Sequence, residues 1–160
     1  MLKALADLLT KHDAMVVTAE SCTGGLVAKL MTDIAGSSQW FDRGFVTYSN
    51  EAKHDMLGVS LELIEEHGAV SEVVVAEMTN GALENSQATY ALAISGIAGP
   101  TGGSPEKPVG TVCFSFQERN QEPQLITQHF TGDRVQVRRA AAEFSIQKML
   151  TLLKHSSMNI

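Results

Sequence analysis

The 160 residues of this chain, 44% hydrophobic and 19% charged, are enough for one substantial hydrophobic core and too few for two ordinary domains. The formal net charge of −6 argues against nucleic acid as a partner, since phosphate backbones are bound by clustered Lys and Arg and the only dense basic spot lies at residues 134–139. No apolar run approaches the ~20 residues of a membrane span. We therefore predict a single domain over residues 1–160, ordered from about 2 to 154, that binds a small molecule rather than nucleic acid or a membrane.

The two cysteines, Cys22 and Cys113, form neither a C-x-x-C motif nor a disulfide framework. This pattern is typical of reduced thiols in the cytosol. The first residues are amphipathic and interrupted by charges, unlike the apolar run of a signal peptide. Both observations predict a cytoplasmic protein.

Hydrophobic periodicity and turn residues predict alternating helices and strands along the chain. In chain order these are a helix over 2–12, a strand over 14–19, a helix capped by Thr23 and running to about 33, a strand over 45–48, a helix capped by Ser49 or Asn50, helices over 61–67 and 71–84 opened by Ser60 and Ser71, strands over 89–95, 109–116 and 124–130, and a helix over 134–154 capped by Asp133. Residues 156–160 are predicted to be disordered. Because helices outnumber and flank the strands, we predict an α/β fold, a three-layer α/β/α sandwich with a mixed sheet.

Three polar turns follow three of these strands. Residues 18–25 lie where an apolar run gives way to a helix, residues 48–53 follow a second apolar run, and the glycine-rich residues 95–103 follow a third. The carboxyl edge of a sheet is where α/β proteins bind ligands. The three turns therefore predict one composite site.

The three turns resemble, in type and order, motifs of the CinA C-terminal domain family. Four further segments complete the pattern, at 36–38, 68–71, 107–112 and 132–134. The resemblance covers about residues 5–153 and is greater to the family's stand-alone members than to longer CinA proteins, which carry an additional N-terminal domain. It implies cofactor-free hydrolysis of the carboxamide of nicotinamide mononucleotide, giving nicotinate mononucleotide and ammonia, by a homodimer.

Amide hydrolysis needs a nucleophile and a base, for which Ser21 and Lys53 are the candidates. Ser21 lies at a strand end with a helix N-terminus behind it, although a helix cap is the alternative role for such a serine. Cys22 is the rival nucleophile, but no histidine is near it in sequence. Lys53 falls in the first turn of a helix, where the helix dipole disfavours its charge, and burial would lower its pKa further. The alternative is that Lys53 is an exposed surface lysine with no catalytic role.

Three other side chains are candidates for supporting roles. Tyr48 can shuttle a proton or hydrogen-bond the base, or simply pack against the sheet. Glu20 can orient Lys53 or bind substrate, or remain solvated. Thr23 and the N–H groups that follow it can form an oxyanion hole or contact a phosphate, and the sequence does not distinguish between the two.

The substrate contacts are expected in glycine-rich turns and at one arginine. The loop at 95–103 matches neither the P-loop motif nor the dinucleotide-binding fingerprint. The family resemblance implies that this loop forms a wall of the nucleotide pocket. The guanidinium of Arg134 matches the geometry of a phosphate, although an arginine at a helix start next to Asp133 can equally have a structural role. The predicted substrate-binding residues are Gly24, Gly25, Ser38, Gly96, Gly99, Gly102 and Arg134.

No H-E-x-x-H motif, Cys/His cluster or Asp-rich loop is present, so no metal is predicted. The sequence thus predicts a Ser/Lys amidohydrolase. Two alternatives stay open: a non-catalytic nucleotide-binding or regulatory module, and an amidase for another carboxamide.

Overall fold

The computed structural model describes residues 1–158, with side chains described as far as residue 156. The helices are α1 (Leu2–Lys11), α2 (Leu26–Thr32), α3 (Asn50–Leu57), α4 (Leu61–His67), α5 (Glu72–Glu84) and α6 (Arg134–Met158), and a short 3-10 helix spans Ser37–Gln39. The strands are β1 (Val16–Glu20), β2 (Phe41–Val46), β3 (Tyr90–Gly96), β4 (Thr111–Glu118) and β5 (Gln124–His129). Over the described part of the chain, the order and type of the α-helices and strands match the prediction.

The strands form one sheet in the order β2-β1-β3-β4-β5. β1 is parallel to both β2 and β3, whereas β4 is antiparallel to β3 and to β5. Glu20, the last residue of β1, pairs with Val46 of β2 and Ile94 of β3. The carboxyl ends of three parallel strands therefore meet at one edge of a mixed sheet.

Helices cover both faces of the sheet. Side chains of α1, α2 and α6 pack in one core, and those of α3, α4 and α5 pack in the other. In β3, Leu92 and Ile94 point into the first core and Ala91 and Ala93 into the second, as expected for side chains that alternate along a strand. The predicted three-layer α/β/α sandwich is confirmed.

Helix α2 begins at Leu26, later than predicted, and Thr23 is not its cap. Gly24 and Gly25 have φ angles of +59° and +100°. These left-handed conformations favour glycine and cannot form part of a right-handed helix, so the polar turn is longer than predicted.

Strand β2 begins at Phe41 and ends at Val46, so Tyr48 lies beyond the strand instead of inside it. A prediction based on apolar runs missed the start of this strand, because residues Asp42, Arg43 and Gly44 are polar or small. They are tolerated because β2 is at the edge of the sheet and pairs only with β1.

The predicted caps of the later helices are largely confirmed. Ser49 caps α3 by accepting the N–H of Ala52, which decides between the two predicted caps, and Ser60, Ser71 and Asp133 cap α4, α5 and α6 as predicted. Helix α6 continues to Met158, so the tail predicted to be disordered begins inside the helix. The rest of that predicted tail, residues 159 and 160, lies outside the described residues.

Candidate active site

The crevice at the carboxyl ends of the parallel strands lies beside β1. The chain leaves β1 through α2 on one face of the sheet and leaves β2 through α3, α4 and α5 on the other face. The two connections diverge at β1, and such a switch point opens a crevice at the strand ends.

A cavity of about 280 Å³ occupies this crevice. Its lining comes from the turn after β1, the segment after β2 and the glycine-rich loop after β3, so the three polar turns meet as predicted. Seven of the predicted site residues line it: Ser21, Tyr48, Lys53, Gly96, Gly99, Gly102 and Arg134.

Ser21 and Lys53 are in direct contact in the cavity wall. Lys53 Nζ donates to Ser21 Oγ at 3.0 Å and to the carbonyl oxygens of Thr47 at 3.0 Å and Tyr48 at 3.3 Å, and Ser21 Oγ donates to the carbonyl of Tyr48 at 3.4 Å. A neutral amine has two N–H groups and one lone pair. Once the amine is neutral and keeps its two N–H groups on the carbonyls, its lone pair turns to Ser21 Oγ and can accept the serine proton.

The Lys53 side chain is only 1% exposed, so it is not a surface lysine. Burial lowers the pKa of Lys53 below the ordinary value, and the nearby acidic groups of Cys22 and Glu51 oppose this shift. A lowered pKa increases the fraction of neutral amine, the form that acts as a base.

Cys22, the rival nucleophile, is buried with 5% exposure. Burial raises the pKa of its thiol to about 11, so the thiolate form is disfavoured at neutral pH. Cys113 is also a free, buried thiol. The geometry therefore favours Ser21.

Glu20 is buried but does not contact Lys53. Its carboxylate oxygens accept the N–H groups of Val27 at 2.9 Å and Ala28 at 3.1 Å, at the start of α2. Side chains alternate along β1, so Glu20 points to the face covered by α2, whereas Lys53 comes from α3 on the opposite face. The prediction that Glu20 orients Lys53 is wrong, and so is the alternative of a solvated charge.

Several predicted residues lie outside the cavity lining. Thr23 is fully buried and its hydroxyl has no partner among the described residues, and Gly24 and Gly25 form the turn behind it. Ser38 is exposed on the short 3-10 helix that precedes β2, at the opposite end of the sheet from Ser21. One copy of the chain does not bring Ser38 to the cavity, because β1 and β2 run parallel and separate their two ends by a strand length.

Arg134 connects two walls of the cavity. Its guanidinium donates to the carbonyl of Gly99 at 2.8 Å and to the hydroxyl of Tyr48 at 2.9 Å. Tyr48 is 58% exposed and contacts the base only through its backbone carbonyl. The Tyr48 hydroxyl therefore accepts a hydrogen bond from Arg134 and does not contact Lys53.

Three polar lining residues, Asn50, Ser95 and Thr101, were absent from the predicted site. Ser95 is buried and donates to the carbonyl of Ala69 at 2.8 Å, which ties β3 to the loop between α4 and α5. The rule that singled out Ser21, a polar residue at a strand's carboxyl end, applies equally to Ser95. Asn50, in the first turn of α3, carries no comparable signal.

Two features of residues 1–158 bear on metal binding and on membrane insertion. No group of three or more His, Cys, Asp or Glu side chains lies close enough to hold a metal ion. None of the helices described there is both long and apolar enough to cross a membrane.

Comparison with known proteins gives close relatives over most of the chain. The chain is 59% identical over 141 residues to nicotinamide-nucleotide amidohydrolase PncC of Escherichia coli K12, covering 88% of this chain and 86% of that protein. Among solved structures, competence/damage inducible protein CihA of Agrobacterium tumefaciens superposes with a TM-score of 0.91 at 45% identity, covering 96% of this chain and 93% of that one.

A second solved structure, competence damage-inducible protein A of Klebsiella pneumoniae, gives a TM-score of 0.93 at 37% identity, with 96% and 95% of the two chains covered. The model of the CinA C-terminal domain matches residues 1–153. Together with the fold and the geometry of the crevice, this match shows that the chain belongs to the CinA C-terminal domain family.

Proposed function

We propose that this protein is an amidohydrolase that converts nicotinamide mononucleotide and water to nicotinate mononucleotide and ammonia, with Ser21 as nucleophile and Lys53 as base. The observation that carries the proposal is the buried 3.0 Å contact between Lys53 Nζ and Ser21 Oγ in the cavity wall. The identity to a nicotinamide-nucleotide amidohydrolase supports the choice of substrate.

The reaction proceeds through an acyl-enzyme. Ser21 Oγ attacks the carboxamide carbon while Lys53 takes the serine proton, and the tetrahedral intermediate collapses as Lys53 returns that proton to the departing ammonia. A water molecule then attacks the ester as Lys53 takes one of its protons, and the second tetrahedral intermediate collapses as Lys53 returns that proton to Ser21 Oγ. Ser21 and neutral Lys53 are regenerated, and the carboxylic acid product ionises to the carboxylate in water. No metal or organic cofactor is required by these steps.

The other predicted residues that line the cavity form the nucleotide pocket in this proposal. Backbone of the glycine-rich loop, at Gly96, Gly99 and Gly102, lines the cavity, and Arg134 offers a guanidinium at its rim. We propose that Arg134 contacts the 5′-phosphate. The backbone N–H groups of the turn after Ser21 contribute to oxyanion stabilisation.

Ammonia release from a matched set of carboxamides tests the substrate. We expect kcat/KM for nicotinamide mononucleotide to exceed that for nicotinamide riboside and for free nicotinamide by at least tenfold, because only the mononucleotide offers a phosphate. Arg134→Ala should raise KM for the mononucleotide and leave KM for the riboside unchanged. Equal kcat/KM for nucleotide and riboside would contradict a phosphate contact.

The same assay separates the two alternatives. Turnover of a non-nucleotide amide alone would indicate an amidase for another carboxamide. Binding of the mononucleotide without ammonia release would indicate a non-catalytic module, a reading that the Ser21–Lys53 contact disfavours.

The family resemblance also supports three proposals about the protein's setting. These are a cytoplasmic location, a place in pyridine nucleotide recycling, and a homodimer. Light scattering coupled to size-exclusion chromatography tests the last of these: a mass near twice 17.2 kDa is expected, and a monomer mass would contradict it.

A further inference from the structure

Arg138 joins helix α6 to the turn that follows Ser21. Its Nε donates to the carbonyl of Cys22 at 2.9 Å, and its Nη2 donates to the carbonyl of Thr23 at 3.2 Å. The next residue, Arg139, is exposed and, among the described residues, forms an ion pair only with Glu143, at 3.9 Å. The fork of Arg138 is therefore a specific contact rather than part of a charged surface.

The turn that Arg138 holds is fixed by few other interactions. The N–H of Gly24 donates to the carbonyl of Ser21 at 3.0 Å, and the N–H of Leu26 donates to that of Thr23 at 3.1 Å. Gly24 leaves space for the fork, since a Cβ there would lie 3.2 Å from Arg138 Nη2.

Three backbone donors in this turn, the N–H groups of Cys22, Thr23 and Gly25, have no backbone or side-chain acceptor in another residue within residues 1–158. Of these three residues, Thr23 is fully buried. Buried backbone N–H groups without a partner are rare in native proteins and need an explanation. The N–H of Thr23 belongs to the peptide group whose carbonyl, that of Cys22, binds Arg138 Nε. In a trans peptide the two point in opposite directions, so the arginine fixes the orientation of the free N–H.

We propose that Arg138 is a positioning residue for acyl transfer: by holding the carbonyls of Cys22 and Thr23, it keeps Ser21 Oγ facing Lys53 and fixes the peptide groups behind Ser21, whose unpaired N–H groups include that of the cavity-lining Cys22. The inference rests on the proposed Ser/Lys mechanism. A cationic donor also polarises the peptide group that it binds, which strengthens the N–H at the other end.

Three variants test this role, Arg138→Ala, Arg138→Lys and the matched control Arg139→Ala. For ammonia release from nicotinamide mononucleotide, Arg138→Ala should lower kcat by about 10- to 100-fold and change KM by less than about threefold, because a contact that matters in the transition state is lost. Arg138→Lys should recover only part of kcat, because an ammonium cannot reproduce the fork. Guanidinium ion added to Arg138→Ala should restore activity, and Arg139→Ala should behave as wild type.

Thermal unfolding separates positioning from folding. An Arg138→Ala protein with wild-type kcat, whether or not its melting temperature falls, would overturn the proposal. So would full activity of Arg138→Lys, the variant to use if the alanine protein does not fold.

A second readout does not depend on the substrate. Phenylmethylsulfonyl fluoride reacts when Ser21 Oγ attacks sulfur, the S–F bond breaks, fluoride leaves and Lys53 takes the serine proton. Mass spectrometry of the intact protein should show slower labelling of Ser21 in Arg138→Ala than in wild type, and equal rates would contradict the role. A wild-type protein that is labelled at Ser21 but releases no ammonia from the mononucleotide would refute the proposed substrate and leave the role of Arg138 intact. Failure of both reactions in wild type would refute the dyad, and this inference with it.

Discussion

The contact between Ser21 and Lys53 places an amine that is costly to charge next to a hydroxyl that must lose a proton. Lys53 is held by two backbone carbonyls, those of Thr47 and Tyr48, so its position does not depend on a carboxylate partner. A carboxylate in contact would favour the charged amine and raise its pKa. Polar but uncharged partners are therefore suited to a lysine that acts as a base.

The assignment of Ser21 over Cys22 is testable with two alanine variants. Ser21→Ala should lower kcat by several orders of magnitude while the mononucleotide still binds, because the covalent step is lost. Cys22→Ala should keep most of the activity, since the buried thiol has a pKa of about 11 and provides little thiolate. Ammonia release and equilibrium binding measure the two effects. An active Ser21→Ala beside an inactive Cys22→Ala would reverse the assignment.

Substitution of Lys53 should be nearly as damaging as loss of Ser21. We expect the double variant Ser21→Ala/Lys53→Ala to be little slower than either single variant, because groups that act as a unit are not additive. Lys53→Arg should not recover activity, since a guanidinium stays protonated. A fully active Lys53→Ala protein would remove the proposed base.

The lowered pKa of Lys53 sets the expected pH dependence. Below that pKa the amine is protonated and cannot accept the serine proton, so kcat/KM should rise with pH through it. The free energy of unfolding should also rise with pH in this range. Between the lowered pKa of folded Lys53 and the unfolded value of ~10.4, the unfolded chain binds more protons than the folded one, so the contribution of Lys53 to stability increases with pH. No histidine lines the cavity, so replacing His54 with Gln should leave the profile unchanged. A rate that falls as pH rises across this range would contradict a lysine base.

At the scale of elements, the start of α2 depends on a carboxylate from β1. Glu20 takes two backbone N–H groups that the glycine turn leaves without a cap, and it does so in a buried position. The turn after Ser21 is therefore held by two side chains. Glu20 binds the start of α2, where the turn ends, and Arg138 binds two carbonyls at the start of the turn.

Glu20→Gln distinguishes this structural role from a catalytic one. The amide retains one acceptor, so we expect a loss of about 1–3 kcal/mol in the free energy of unfolding, while kcat falls less than about tenfold. Chemical denaturation and ammonia release provide the two measurements. Unchanged stability with a thousandfold loss of kcat would instead indicate that Glu20 takes part in the chemistry.

For the whole molecule, the proposed mechanism needs no metal. Prolonged incubation with EDTA, followed by removal of the chelator, should leave the full rate of ammonia release, because proton transfer and nucleophilic attack are both supplied by side chains. The matched sample is protein carried through the same steps without chelator. Loss of activity that added Zn²⁺, Mg²⁺ or Mn²⁺ restores would contradict the Ser/Lys mechanism.

The fold and the location of the site could be predicted from local signals in the sequence. Apolar periodicity and caps such as Ser60, Ser71 and Asp133 specify helices within a few residues, because capping is a local interaction. Polar turns after apolar runs indicated the crevice that contains Ser21 and Lys53. The family resemblance supplied the substrate class, which no local pattern contains.

Only the tertiary structure decided which predicted side chains meet. Glu20 and Ser21 are adjacent in sequence, yet one caps α2 and the other contacts Lys53, because alternation along β1 sends neighbouring side chains to opposite faces. Arg138 lies 116 residues from the carbonyl of Cys22 and carries no motif that links the two. The burial that lowers the pKa of Lys53 depends on the fold, which brings α3 against the turn after β1, so composition and spacing do not determine it.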